Sequence, residues 1–304
     1  MANTLNPPVN NSFVTAARFL PLLDEIYKRR SLTAILDTAV DRVRWDGAQT
    51  VNLFKIAVQG LGNYSRNAGF VPGSVDGEWE PFKIQIDRGR SFSVDVMDND
   101  ETVGMAFGAL LGEFERTQVI PETDAYRFAT YASGSGLRAS GSIANKNVAD
   151  LIQTAEAEMD DAEVPYEGRI LYVSPTAYKN LKGNITRFTE NGDPDVNGNV
   201  EMYDDMRVLR VPKARFNTQI TLNAPKDATE MGGYTATGSD INFLIIHPSA
   251  ILQVVKHRIP RIFSPEVNQL SDGWKLDYRI YHDAFVESNK VKGIYLHSVE
   301  ALSE

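Results

Sequence analysis

The chain has 304 residues and can bury roughly three quarters of the surface its unfolded form exposes, so it needs no covalent staple. It contains no cysteine, which excludes disulfides, thiolate metal sites and thiol nucleophiles together. A formal charge of -9 argues against a broad basic face that grips nucleic acid, no apolar run approaches the ~20 residues of a membrane span, and the N-terminus lacks a signal peptide's basic and apolar regions.

Residues 1 to 20 read as a polar arm, dense in Asn and interrupted by Pro7-Pro8. Between Leu20 and Val40, Leu22, Leu23, Ile26 and Tyr27, then Leu32, Ile35 and Leu36, predict two short amphipathic helical pieces. The basic run Lys28-Arg29-Arg30 lies beside Asp24 and Glu25 and reads as a solvated helix face.

Phe54, Ile56 and Val58 alternate with Leu53, Lys55 and Ala57, and Phe82, Ile84 and Ile86 alternate with Lys83, Gln85 and Asp87, so both stretches predict strands. Residues 60 to 78 between them, GLGNYSRNAGFVPGSVDGE, are turn-forming and predict a flexible tip. Strands of about nine residues at ~3.3 Å each reach ~30 Å, against a radius of gyration near ~19 Å for a compact chain of this length. An isolated two-stranded hairpin is marginal in water, so one this long should lie on another subunit. A competing pairing joins residues 82 to 86 with 92 to 96 around Asp87-Arg88-Gly89-Arg90, because Phe92, Val94 and Val96 also alternate.

A helix is predicted from a capping box at Asp98-Asn99-Asp100-Glu101, with Val103, Ala106, Phe107, Leu110, Leu111 and Phe114 on one face. Gly104, Gly108 and Gly112 share a side and imply close packing against a sheet or neighbour. Pro121 marks a kink or a fresh start, and Ser133-Gly134-Ser135-Gly136 ends the run. The second half alternates: a helix with Leu151, Ile152, Ala155 and Met159, a strand Arg169 to Ser174, a helix from Pro175 through Leu181, and strands at 207–211, 241–247, 250–256, 274–286 and 293–299. The class is mixed α+β.

Chemical motifs are sparse. Gly134-Ser-Gly136 follows a helix and lacks the third glycine of a dinucleotide fingerprint. Ser140 has no glycine two residues before it, as a nucleophile elbow needs. His247, His257, His282 and His297 show no metal spacing and read as structural. Asp193, Asp195, Asn197 and Asp204 do fall at positions 1, 3, 5 and 12 of a calcium-loop pattern with Gly198 at 6. Pro194 and the short Asp204 depart from that pattern, so a plain surface loop is preferred over a structural calcium site, and no other cofactor is expected.

Several stretches in this order resemble one family: Gly62-Asn-Tyr64-Ser-Arg66-Asn67, Asp87-Arg88-Gly89-Arg90-Ser91-Phe92, Met97-Asp-Asn-Asp-Glu101-Thr102, Val119-Ile-Pro-Glu122-Thr-Asp124-Ala-Tyr126-Arg127-Phe128, Val173-Ser-Pro175, Val211-Pro212 and Tyr281-His282-Asp283-Ala284-Phe285. The chain is similar to the Hong Kong ninety-seven type of tailed-phage major capsid protein over nearly its whole length. That resemblance implies an N-terminal arm with short helices at 1–48, an extended β-hairpin loop at 49–97, a peripheral domain with a long spine helix at 98–144, an axial domain at 145–262 and returning peripheral strands at 263–304. It favours pairing strand 51–58 with strand 81–86.

The resemblance further implies a non-enzymatic shell subunit that assembles as hexamers and pentamers around packaged double-stranded DNA, read without sequence specificity. A portal, a separate scaffolding protein and no membrane are expected, the latter two because fewer than fifty residues precede the loop and no apolar span exists. Localisation would be the virion capsid, with the host cytoplasm during assembly. Tyr64, Arg66, Phe70, Trp79, Arg88 and Arg90 are the expected subunit-interface residues. Two alternatives are an encapsulin-like nanocompartment shell and a soluble α+β enzyme using Asp160-Asp161 or Asp204-Asp205, pairs that lack a positioned base or oxyanion donor.

Overall fold

The structure, a computed structural model, describes residues 31–37, 44–47, 49–67, 69–96, 105–143, 148–184, 200–225, 227, 229–269 and 271–302. The polar arm, Lys28-Arg29-Arg30, the capping box at 98–101, Gly104, and Asp193, Asp195 and Asn197 lie outside the described residues.

The longest helical run passes through α1 (Met105–Phe114), a π-helical turn (Glu115–Val119) and α2 (Ile120–Ser133) without a break. At ~1.5 Å per residue it is about 43 Å long. Pro121 therefore neither stops nor restarts it. A proline has no N–H to give and its ring presses on the carbonyl four residues back; the π turn just before it, closed by the Ile120 N–H on the Glu115 carbonyl, widens the helix where that conflict would arise. Among the described residues no helix is long and apolar enough to cross a membrane.

A six-stranded sheet has the order β5 (Leu137–Ser140), β15 (Ile294–Ser298), β11 (Ile241–Ile246), β6 (Ile170–Val173), β8 (Met206–Arg210), β7 (Met202–Tyr203). Its central strands are buried on both faces, which is why β11 reads INFLII with no polar alternation. Tyr172, Leu244, Ile246, Ile294 and Leu296 pack with Phe128 and Tyr131 of α2 on one side. Leu171, Val173, Phe243, Ile245 and Tyr295 pack on the other with Ile152, Ala155 and Met159 of α3 (Val148–Asp161) and Ala177 and Leu181 of α4 (Pro175–Asn184). Each fully buried side chain of this kind contributes roughly 1.5–3 kcal/mol.

The second sheet is centred on β14 (Gly273–Val286), which pairs with β4 (Ile86–Asp95) on one edge and with β12 (Ile251–Arg258) and β13 (Arg261–Phe263) on the other. Leu111, Phe114 and Val119 of the helical run cover it, so one helix ties the two sheets together. A short pair, β9 (Ile220–Leu222) with β10 (Tyr234–Ala236), brackets the loop 223–233.

From this second sheet rises the hairpin of β2 (Thr50–Val58) and β3 (Val75–Lys83), in register from Thr50↔Lys83 to Val58↔Val75, with β1 (Arg44–Asp46) on the β2 edge. The partner segment is 75–83, displaced from the expected 81–86, so the tip is shorter than the turn-rich composition suggests. Arg88-Gly89-Arg90 is not a turn: β4 runs straight through it against β14, from Ile86↔His282 to Asp95↔Gly273. Gly89 serves that close pairing, because a Cβ there would lie 2.8 Å from the Tyr278 carbonyl oxygen.

The expected segment boundaries do not coincide with the sheets. β15, from the closing segment 263–304, and β5, from 98–144, are strands of the six-stranded sheet, whereas β12, from 145–262, belongs with β14. Ser31 to Asp37, expected to be helical, forms one short turn at Ala34–Leu36 held against α2.

Candidate subunit interface

The hairpin is firmly held at its root. Val51 and Ile84 are buried with Leu252 and Val254, flanked by Trp45, Phe82, Tyr281 and Phe285. Asp283 of β14 fixes the bend between β3 and β4: it accepts from the Gln85 backbone N–H at 2.9 Å, from the Tyr126 hydroxyl of α2 at 2.7 Å and from the Ala284 N–H at 2.8 Å. The Tyr281 hydroxyl donates to the Ile84 carbonyl at 3.0 Å. One buried carboxylate thus joins helix, sheet and hairpin. Asp283→Ala is expected to cost at least about 3 kcal/mol, since hydrogen bonds to a charged group contribute ~1.5–3 kcal/mol each and three donors lose this acceptor; urea unfolding measures it.

Beyond the root the two faces of the hairpin differ. Directly opposed residues share a face, so Phe54 with Trp79, Ile56 with Gly77, and Val58 with Val75 form one apolar face. The Phe54 and Trp79 rings meet at 5.0 Å, and Gly77 leaves room for Phe54, whose Cζ a Cβ there would approach to 2.7 Å. Ile56 is 63% exposed and Val58 71%. The other face carries Asp76, Glu78 and Glu80 opposite Ala57, Lys55 and Leu53, with Lys55 Nζ 2.5 Å from Glu80. At the tip the Tyr64 and Phe70 rings meet at 4.9 Å, tilted by 55°, and Leu61 and Val71 are exposed.

Of the expected interface residues, Tyr64, Arg66, Phe70 and Trp79 lie exposed on this hairpin. Arg88 and Arg90 do not join them. Arg88 grips Glu122 of α2 through two bonds of 2.8 and 3.1 Å and donates to the Asn223 and Gly233 carbonyls, while Arg90 donates to the Glu230 carbonyl. Both arginines brace the loop 223–233 against their own chain, a consequence of β4 running straight where a turn would have projected them. Between that loop, β4 and the π turn lies a cleft of about 450 Å³ lined by Phe92, Phe114, Val119 and Ile280, with Met231 exposed at its rim.

A second anchor, unforeseen in the sequence, holds residues 31–37. Asp124, fully buried in α2, accepts from the Ser31 and Thr33 hydroxyls at 2.7 Å each and from the Leu32 N–H at 3.0 Å, with Arg215 3.4 Å away. One turn on, the equally buried Arg127 donates to Thr33 Oγ1 at 3.0 Å and pairs with Asp37 at 3.2 Å. The signal available was a carboxylate and a guanidinium three apart on a helix whose neighbours Ala125 and Phe128 are core residues.

His282, between β4 and β12 on β14, is buried, and its Nδ1 has no partner among the described residues. Burial first, and Arg127 second, push its pKa from 6.5 down to about 3, so the folded chain holds it neutral. The unfolded chain binds a proton there below pH 6.5 that the folded chain refuses, so stability falls as pH drops from 6.5 towards 3. Urea midpoints between pH 7 and 4 should fall less steeply in His282→Gln, by up to one proton's worth of slope.

Asp204 sits with Asp205 in the two-residue turn joining β7 to β8, both with positive φ of 43° and 60°, a hairpin geometry that Asp tolerates. Its carboxylate, after burial the next cause, helps push Glu156 of α3 up to about 7. Asp160 pairs with Arg169 at 2.6 Å. Among the described residues no group of three or more His, Asp or Glu is placed to hold a metal.

No family model and no curated protein matches the sequence. Solved structures do. The capsid of cyanophage P-SCSP1u is similar over 86% of this chain and 86% of its own, with 16% identity and a TM-score of 0.58. The mature capsid of bacteriophage PhiM1 is similar over 85% and 84%, with 12% identity and a TM-score of 0.56. The virus-like particle from Pyrococcus furiosus is similar over 94% and 99%, with 12% identity and a TM-score of 0.53. The chain has the mixed helix and sheet fold of phage capsids.

Proposed function

We propose that this chain, having the fold of phage capsids, is the major capsid protein of a tailed bacteriophage and builds an icosahedral shell from hexamers and pentamers of itself. The observation that carries the proposal is the uncovered apolar face of the β2–β3 hairpin: Phe54, Ile56, Val58, Val75 and Trp79 on a pair of strands rooted in the body and open beyond it. A contiguous apolar surface of this kind marks an interaction site, and a two-stranded ribbon gains independent stability only when a further surface packs on it. A second copy supplies that surface at matched stoichiometry. The work of the protein is then done by contacts between subunits and no catalytic group is required.

In this reading the shell encloses double-stranded DNA, contacted through its backbone without sequence reading, and a portal and a separate scaffolding protein are the other partners. The likeness to the Pyrococcus furiosus virus-like particle supports a second reading, a cellular nanocompartment. Negative-stain images of the expressed chain, alone and with scaffold, decide whether shells form, and a strictly monomeric product under both conditions contradicts both readings. Shells purified from their natural source are expected to contain double-stranded DNA; enclosed protein cargo would favour the compartment.

A further inference from the structure

We infer that the acidic row of β3, Asp76 and Glu78, docks into a basic cleft at the root of the hairpin of a second copy. The inference rests on the assembly proposed above and assigns the polar half of the contact.

The cleft, of about 630 Å³, opens where the hairpin leaves the sheet and is lined by Lys83, Asp87, Lys256, His257, Arg279 and Tyr281. Three permanent cations face one carboxylate there, in a chain whose formal charge is -9. Asp87 is already engaged by Arg279, with Nε at 2.8 Å. Lys256 lies 4.8 Å over the Trp45 ring, and Lys83 has no ion-pair partner among the described residues. The cleft is therefore a local excess of positive charge on an otherwise acidic protein. It suits an acidic occupant.

An acidic counterpart is present on every copy. Asp76, Glu78 and Glu80 alternate along one face of β3; Lys55 neutralises Glu80, while Asp76 and Glu78 are exposed and form no ion pair among the described residues. They cannot reach the cleft of their own chain. Glu78 is five residues from Lys83 along an extended strand, about 17 Å at ~3.4 Å per residue, and an odd separation puts the two on opposite faces. Donor row and acceptor cleft at opposite ends of the same hairpin form a heterologous contact, the kind that closes a ring of identical subunits. Complementary charge of this sort sets register and excludes wrong pairings, while the apolar face supplies the burial.

The test is charge reversal in the full chain, scored as the yield of shells by size exclusion and electron microscopy. Lys83→Glu and Glu78→Lys are each expected to lower the yield at least about tenfold by placing like charges together, and the double variant to recover most of it. Both side chains are exposed, so thermal midpoints should match the parent; should a reversal lower the midpoint, Lys83→Gln and Glu78→Gln replace it, each then expected to lower the yield severalfold and to make assembly less sensitive to salt. Single reversals that assemble at parental yield overturn the inference, and so does a double variant no better than the worse single. Lys83→Glu shells formed at parental yield with reduced nucleic acid content would assign the cleft to phosphate and overturn it too. A parent chain that never assembles contradicts the shell proposal itself, a separate failure.

Discussion

A chain carrying Ile56→Asp and Val58→Asp is expected to keep its fold and to form no shells. Both side chains are largely exposed in the single subunit, at 63% and 71%, so their replacement removes little burial from it. The thermal midpoint should move by no more than about 2 °C, since surface substitutions stay within about 0.5 kcal/mol. In the proposed assembly the same positions lie under a neighbour, where an unpaired charge costs several kcal/mol. Because every subunit contributes its own hairpin, the penalty recurs at each contact and should reduce the yield of shells below about one hundredth of the parent. Serine at the same two positions should have an intermediate effect. Unchanged shells in the aspartate variant would show that this face is not an interface.

Asp124→Ala is expected to have the largest effect on the subunit itself. The substitution takes the acceptor from two hydroxyls and a backbone N–H of residues 31–33 and leaves Arg215 beside an empty site. Removing one member of a buried charged network costs about 3–5 kcal/mol, a large share of a typical total of 5–15 kcal/mol. The loss should appear as a lowered urea midpoint together with faster proteolysis near Ser31, because residues 31–37 are held by this network and by Leu36 in the core. Asp124→Asn, which keeps one acceptor, should lose less. A variant with parental stability and an uncleaved segment would contradict the anchoring role.

Elements whose partners lie in their own periodicity were legible in the sequence. The predicted helix with Leu151, Ile152, Ala155 and Met159 is α3, and the strand predicted at 241–247 is β11. What escaped depended on distant partners. The alternation of Phe92 and Val94 is the same whether that strand folds back on residues 82–86 or pairs with β14, and only the distant Gly273–His282 ladder decides. β5 has four residues and no pattern until β15 lies beside it.

The site divides in the same way. The hairpin could be read from alternation and turn composition, while Tyr64, Arg66, Phe70 and Trp79 came as interface residues with the resemblance, and the structure places all four exposed on the hairpin. Arg88 and Arg90 looked equally exposed on a supposed turn, yet a straight β4 directs them to Glu122 and the loop 223–233 of the same chain. Asp124, Arg127 and Asp283 belong to stretches recognised by resemblance, but their part in fixing the arm and the hairpin root is set by hydrogen-bond and ion-pair partners about 90 or more residues distant, apart from the adjacent Ala284 N–H.

The central claim, that a second copy covers the apolar face of the hairpin, is tested most directly by thiol accessibility. Because the chain has no cysteine, Ile56→Cys introduces one reactive group on that face. Its labelling rate in dissociated subunits should match that of a free surface thiol, and in intact shells it should be slowed at least about tenfold. Equal rates in subunits and shells would mean that the face stays open to solvent after assembly, and would contradict the account.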